Sequence, residues 1–164
     1  MMTGIPTVNS HILFLYELLA LVCIAGFAAY DLKKKRVPDR ALLLFLPFAL
    51  AAPLVRTAAF GTALLPFLFL YSFTGAAAGF LILLAAAMMS KEGAGIGGGD
   101  IKLAAAMGFL YGPSRMLAIL LTASGLAACV SLAMRHRRKE EMLSLPFVPF
   151  LMIGSLAVTI TAIL

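Results

Sequence analysis

From position 68 to 89 the chain runs through Leu, Phe, Tyr, Ala, Gly, Ile and Met without a single charged residue. A helix needs about 20 mainly apolar residues to cross the hydrocarbon core of a bilayer, and this stretch supplies them. The run 11–30, HILFLYELLALVCIAGFAAY, is a second of the same kind. Over the whole chain 63% of residues are apolar and 12% charged, and mean hydropathy is +1.06. A soluble domain carries about 45–50% apolar and about 25% charged residues, so this composition excludes one. Disorder is excluded too, because disordered chains are poor in apolar residues. The expected fold is all-α: a polytopic membrane protein in which residues 1–164 make one transmembrane domain.

Six apolar segments can be marked along the chain: 11–30, 41–55, 66–89, 101–112, 115–134 and 145–164. Pro66 suits the first turn of the third segment, where a missing N–H costs nothing, and 57–65 is left as a connection. The net charge of +6 sits in the short loops between segments. With six spans and the loop 31–40 in the cytoplasm, eleven of the 13 Lys and Arg fall on that side. Only Arg56 and Arg115 lie outside. The positive-inside rule therefore predicts both termini outside and the loops 31–40, 91–99 and 135–141 inside. This pattern marks a membrane face, and no nucleic-acid partner is expected. Cys23 and Cys129 both lie within apolar runs and read as small core side chains. Neither His11 nor His136 stands at metal-ligand spacing from them, so no metal and no cofactor is expected.

Acidic residues at membrane depth are expensive and usually face a bundle interior or a wet cavity. Asp31 ends the first segment and Asp100 opens the fourth. The stretch 101–112 is only about 18 Å long as a helix, short of the roughly 30 Å core. That length sets Asp100 below the cytoplasmic surface. The preceding KEGAGIGGGD, with five glycines in ten residues, must then dip into the membrane around a water-filled pocket. Two carboxylates at one wet pocket are what an aspartyl protease needs. They share a proton, the ionised one accepting a proton from water and the protonated one donating to the scissile carbonyl. Gly93, Gly95 and Gly98 satisfy G-x-G-x-x-G, but a membrane helix rather than a strand precedes them. Asp39 is placed to cap the second segment, and Lys102 to support an ionised Asp100. Glu17 is expected either to find a hydrogen-bond partner on a neighbouring helix or to lie exposed near the outer surface. Gly75 and Gly79 form a Gly-x-x-x-Gly that permits a close helix crossing.

Two motifs resemble those of the type IV prepilin peptidases, intramembrane aspartyl proteases of the G-x-G-D class. The first is Asp31-Leu-Lys-Lys-Lys-Arg-Val37-Pro38. The second is Gly97-Gly98-Gly99-Asp100-Ile101-Lys102-Leu103, with Gly108 and Gly112 following. Leu145-Pro146-Phe147-Val148-Pro149-Phe150 is similar to the family's proline-rich start of the last span. The resemblance implies Asp31 and Asp100 as the catalytic pair, with Pro38, Gly97, Gly98, Gly99 and Lys102 in substrate binding or loop support. It implies that the substrate is a prepilin or pseudopilin, cut after a Gly on the cytoplasmic side of a prokaryotic cell membrane. Asp39 stands where the family often has Asn, and Val37 where Ile or Leu is more usual. Many members carry an added segment with two Cys pairs linked to N-methylation. The resemblance here is to a peptidase-only form. Tyr30-Asp31 with G-x-G-D is also similar to presenilin-like proteases, but those are longer and carry a Pro-Ala-Leu that is missing here. Two readings outside the protease class are a proton-coupled carrier relaying through Asp31, Asp100 and Glu17, and a non-catalytic pilus or secretion assembly subunit.

Overall fold

The computed structural model describes residues 7–34, 37–89, 97–137 and 146–161. Among them there is no strand. The helices are α1 (Thr7–Lys34), α2 (Asp39–Leu50), α3 (Ala52–Phe60), α4 (Leu65–Met89), α5 (Gly98–Tyr111), α6 (Pro113–Arg137) and α7 (Val148–Thr161), with one 3-10 turn at Thr62–Leu64. Four segments are long and apolar enough to cross a membrane: His11–Lys34, Asp39–Ala58, Thr62–Met89 and Pro113–Ala133. The chain is thus an all-helical membrane protein. α5 and α7 have 14 residues each, about 21 Å, too short to cross the core unaided. Residues 91–96 and 138–145, which hold most of the expected glycine-rich dip and much of the third basic loop, lie outside the described residues.

The second segment is one span, Asp39–Ala58, as expected, with a turn inside it. It is two helices that meet at Ala51, whose N–H bonds to Pro47 O at 3.1 Å and Phe48 O at 3.2 Å. Pro47 lies inside α2 and Pro53 opens α3. Each proline removes one ladder donor, and together they break the helix between them. Asp39 is not a cap either. The N-cap of α2 is Pro38, and Asp39 is the first helical residue. Pro66 does fall in the first turn of α4.

α5 is the core of the molecule. Ile101, Leu103, Ala104 and every residue from Ala106 to Tyr111 are buried, and α2, α3, α4 and α6 all pack on it. Its closest neighbour is α4. A Cβ built on Gly75 would collide with the Gly108 carbonyl, one on Gly108 with the Gly75 carbonyl, and one on Gly79 with the Ala104 carbonyl. The expected Gly-x-x-x-Gly contact therefore exists, and its partner is the small face of α5. Both α3 and α5 end on glycines with positive φ, Gly61 at 93° and Gly112 at 79°, a conformation side chains with a Cβ rarely adopt. Large apolar side chains point outward instead: Leu43, Leu44, Phe67 and Leu121 are each at least 70% exposed. In water so much apolar surface would drive aggregation; here it faces lipid. Cys129 is among the exposed positions and Cys23 is half-buried, so Cys129 is not the core residue its setting suggested. It lies on the outward face of α6.

Candidate active site

Asp31 lies one turn from the end of α1 and is 3% exposed. Its Oδ2 accepts a hydrogen bond of 3.3 Å from the N–H of Val148. Val148 is the first residue of α7, and the first four N–H groups of a helix have no partner within it. The end of α1 and the start of α7 thus satisfy each other.

Asp100 sits in the first turn of α5 and is half-buried. Gly97 precedes the helix in an extended conformation. Its carbonyl accepts from Asp100 N at 2.9 Å and Ile101 N at 3.3 Å. The Asp100 carboxylate folds back toward Gly97, so that a Cβ there would stand 3.5 Å from Oδ2. Asp31 is close enough to act on Asp100 as a neighbouring like charge.

Contact between the loops brings the two motifs together. A Cβ on Gly99 would lie 2.8 Å from Val37 Cβ, so only glycine lets Val37-Pro38 seat against the start of α5. Gly98 is different: among the described residues nothing lies within 4 Å of its would-be Cβ. Lys102 turns away from Asp100. Its Nζ bonds to Asp39 Oδ1 at 3.0 Å, with both side chains mostly exposed. The position of Lys102 two residues beyond Asp100 suggested another partner, but on a helix residues that close do not share a face. An exposed ion pair of this kind contributes about 0–1 kcal/mol. Lys102→Gln is therefore expected to change stability by less than about 1 kcal/mol and to leave the acidic limb of a pH–rate profile unmoved.

Two apolar grooves flank this end of the bundle. One of about 620 Å³ is lined by Asp39, Leu43, Leu46, Phe80, Lys102 and Phe109 among others. The other, of about 500 Å³, lies between α1 and α2, with Tyr30, Pro38, Leu44 and Phe48 in its wall. Neither Asp31 nor Asp100 lines them. No group of three or more His, Cys, Asp or Glu able to hold a metal occurs among the described residues. Sequence spacing points to both carboxylates but not to the Val148 amide. Its signal is the Pro-x-Val-Pro that opens α7, which sets a helix start there without saying what that start faces.

The sequence model of the type IV leader peptidase family matches residues 17–132, a span that contains both aspartates and both motifs. The chain belongs to this family. It is 37% identical over 132 residues to a Bacillus subtilis (strain 168) protein named prepilin leader peptidase/N-methyltransferase. That match covers 79% of this chain and 48% of the relative, so the chain spans about half the length of the leader peptidase it matches. No solved structure gives a significant match.

Proposed function

We propose that the chain is an aspartic endopeptidase that removes the short leader of a prepilin or pseudopilin at the cytoplasmic boundary of a prokaryotic cell membrane. The observation that carries this reading is the contact of Val37 with Gly99, which seats the loop after Asp31 against the start of the helix bearing Asp100, in a member of a leader peptidase family. A pair holding one proton has both functions hydrolysis needs. The ionised carboxylate takes a proton from the attacking water, and the protonated one donates to the carbonyl oxygen. The open space at Gly98 leaves room for an extended substrate backbone beside Asp100. Pro38 and Lys102 stand at the grooves where an apolar substrate segment would lie.

Incubating the detergent-solubilised chain with a prepilin tests the reading. Leader release after the glycine is expected, and an intact prepilin under conditions where a known leader peptidase cleaves it sinks the idea. The side of the membrane is tested separately. In a variant lacking Cys23 and Cys129, a cysteine placed at position 5 should be labelled from outside intact cells, and one at 138 only after permeabilisation. Labelling of 138 from outside would reverse the orientation.

The carrier reading loses its relay. Glu17 is hydrogen-bonded to Arg115 and lies about 21 Å along α1 from Asp31.

A further inference from the structure

At the end of the bundle remote from the two aspartates, Glu17 of α1, Arg56 of α3, Tyr71 of α4, Tyr111 of α5 and Arg115 of α6 line a cavity of about 320 Å³, with Leu13 and Leu68 completing its wall. Among the described residues Glu17 is the only carboxylate in that lining, and it is taken by Arg115. Arg56 has no carboxylate of its own there. Its Nη2 donates to Leu110 O at 2.6 Å, one of the carbonyls that α5 leaves open at its C-terminal end. Its Nη1 is buried and has no hydrogen-bond partner among the described residues. The guanidinium stands over the Tyr71 ring, 5.7 Å from its centroid, and the Tyr71 hydroxyl is 2.9 Å from Ser114 Oγ.

Two guanidinium groups against one carboxylate leave the cavity with an uncompensated positive charge. At membrane depth such a charge is costly unless an anion or an acceptor meets it. Arginine's planar fork matches phosphate better than any other side chain does. We propose that this cavity binds a phosphate group, with Arg56 as its principal ligand and Arg115 and Tyr71 beside it. Two sources offer that chemistry: the phosphodiester headgroup of an anionic lipid, and free inorganic phosphate. Leu13 and Leu68 provide an apolar wall along which acyl chains could leave toward the bilayer.

The test uses the purified full chain after delipidation. In one arm, native mass spectrometry follows the retention of phosphatidylglycerol against a diacylglycerol with the same acyl chains. In the other, the melting temperature is read with inorganic phosphate against chloride at matched ionic strength. Preferential retention of phosphatidylglycerol, weakened about ten- to hundredfold in Arg56→Gln as expected for loss of a charge-assisted hydrogen bond, identifies the lipid as the source. A phosphate-specific rise in melting temperature that Arg56→Gln abolishes identifies the free ion. Equal retention of both lipids together with no phosphate effect means a cavity filled by water, and overturns the proposal. Because Arg56→Gln also loses its bond to Leu110 and could unfold, Glu17→Gln provides an independent readout. It removes the competing carboxylate and frees Arg115, so phosphate or phosphatidylglycerol should bind more tightly. Binding that is unchanged or weaker in Glu17→Gln overturns the assignment.

Discussion

Replacing either Asp31 or Asp100 by Asn is expected to lower leader release by at least about 10²–10⁴-fold, the usual worth of a positioned acid or base, while the protein stays folded. Asn keeps the shape of the side chain. At position 31 its amide oxygen can still accept from Val148 N, the one hydrogen bond this carboxyl makes among the described residues, so α1 and α7 should remain joined. What is lost is the shared proton. In the unchanged chain the proposed mechanism requires one carboxyl protonated and one ionised. Activity should therefore fall at low pH, where both are protonated, and at high pH, where both are ionised, giving a bell-shaped profile. Asp39→Asn is the control. Asp39 is exposed and pairs with Lys102, so turnover should change little. An Asp39→Asn protein as inactive as Asp31→Asn would show that the working pair has been misassigned.

The largest loss of stability is expected from side chains placed between α4 and α5. Gly75→Leu and Gly108→Leu each insert a branched side chain where even a single carbon meets the backbone of the facing helix. Overpacking typically costs about 1–3 kcal/mol and sometimes more. Here the obstructing atoms are main-chain, which cannot turn aside as a side chain can, so the upper end of that range applies. A marked drop in melting temperature in detergent is the expected result. Gly26→Leu and Gly125→Leu should not show it, because nothing lies within 4 Å of a Cβ at either position. Equal losses at all four glycines would mean that the effect is helix flexibility rather than contact.

Much of this arrangement is legible in the order of the amino acids, for reasons that differ from residue to residue. The apolar runs set the helices because a bilayer admits few other solutions, and Pro66 marks a helix start because proline tolerates few positions. Gly75 and Gly79 announce a close crossing by their spacing but cannot name α5 as the partner. Asp100 stands out because the apolar run after it is too short to span the hydrocarbon core, whereas Asp31, a charge at a span end like many others, is singled out only by the motif that follows it. The failures have physical causes too. Ala51 has no feature that marks a break; the break comes from prolines on either side of it. Asp39 reads as a cap by its type and place, yet Lys102, 63 residues further on, sets its role. Arg115 and Glu17 are 98 positions apart, and no local pattern joins them. Spacing reports what shares a helix face; pairs between helices depend on packing that short-range patterns do not encode.

The hydrogen bond between Asp31 and Val148 has a consequence for biogenesis. The chain is made from its N-terminus, so the carboxyl of Asp31 enters the bilayer long before the amide that meets it has been synthesised. Until α7 is inserted, that carboxyl lacks its partner and the end of α1 lacks the helix it packs against. A nascent or truncated chain that stops short of Val148 would therefore hold both motifs without the finished site, and assembly would be completed only by the last described helix. Such an order would leave the contact between the first and last described helices as the closing step of assembly.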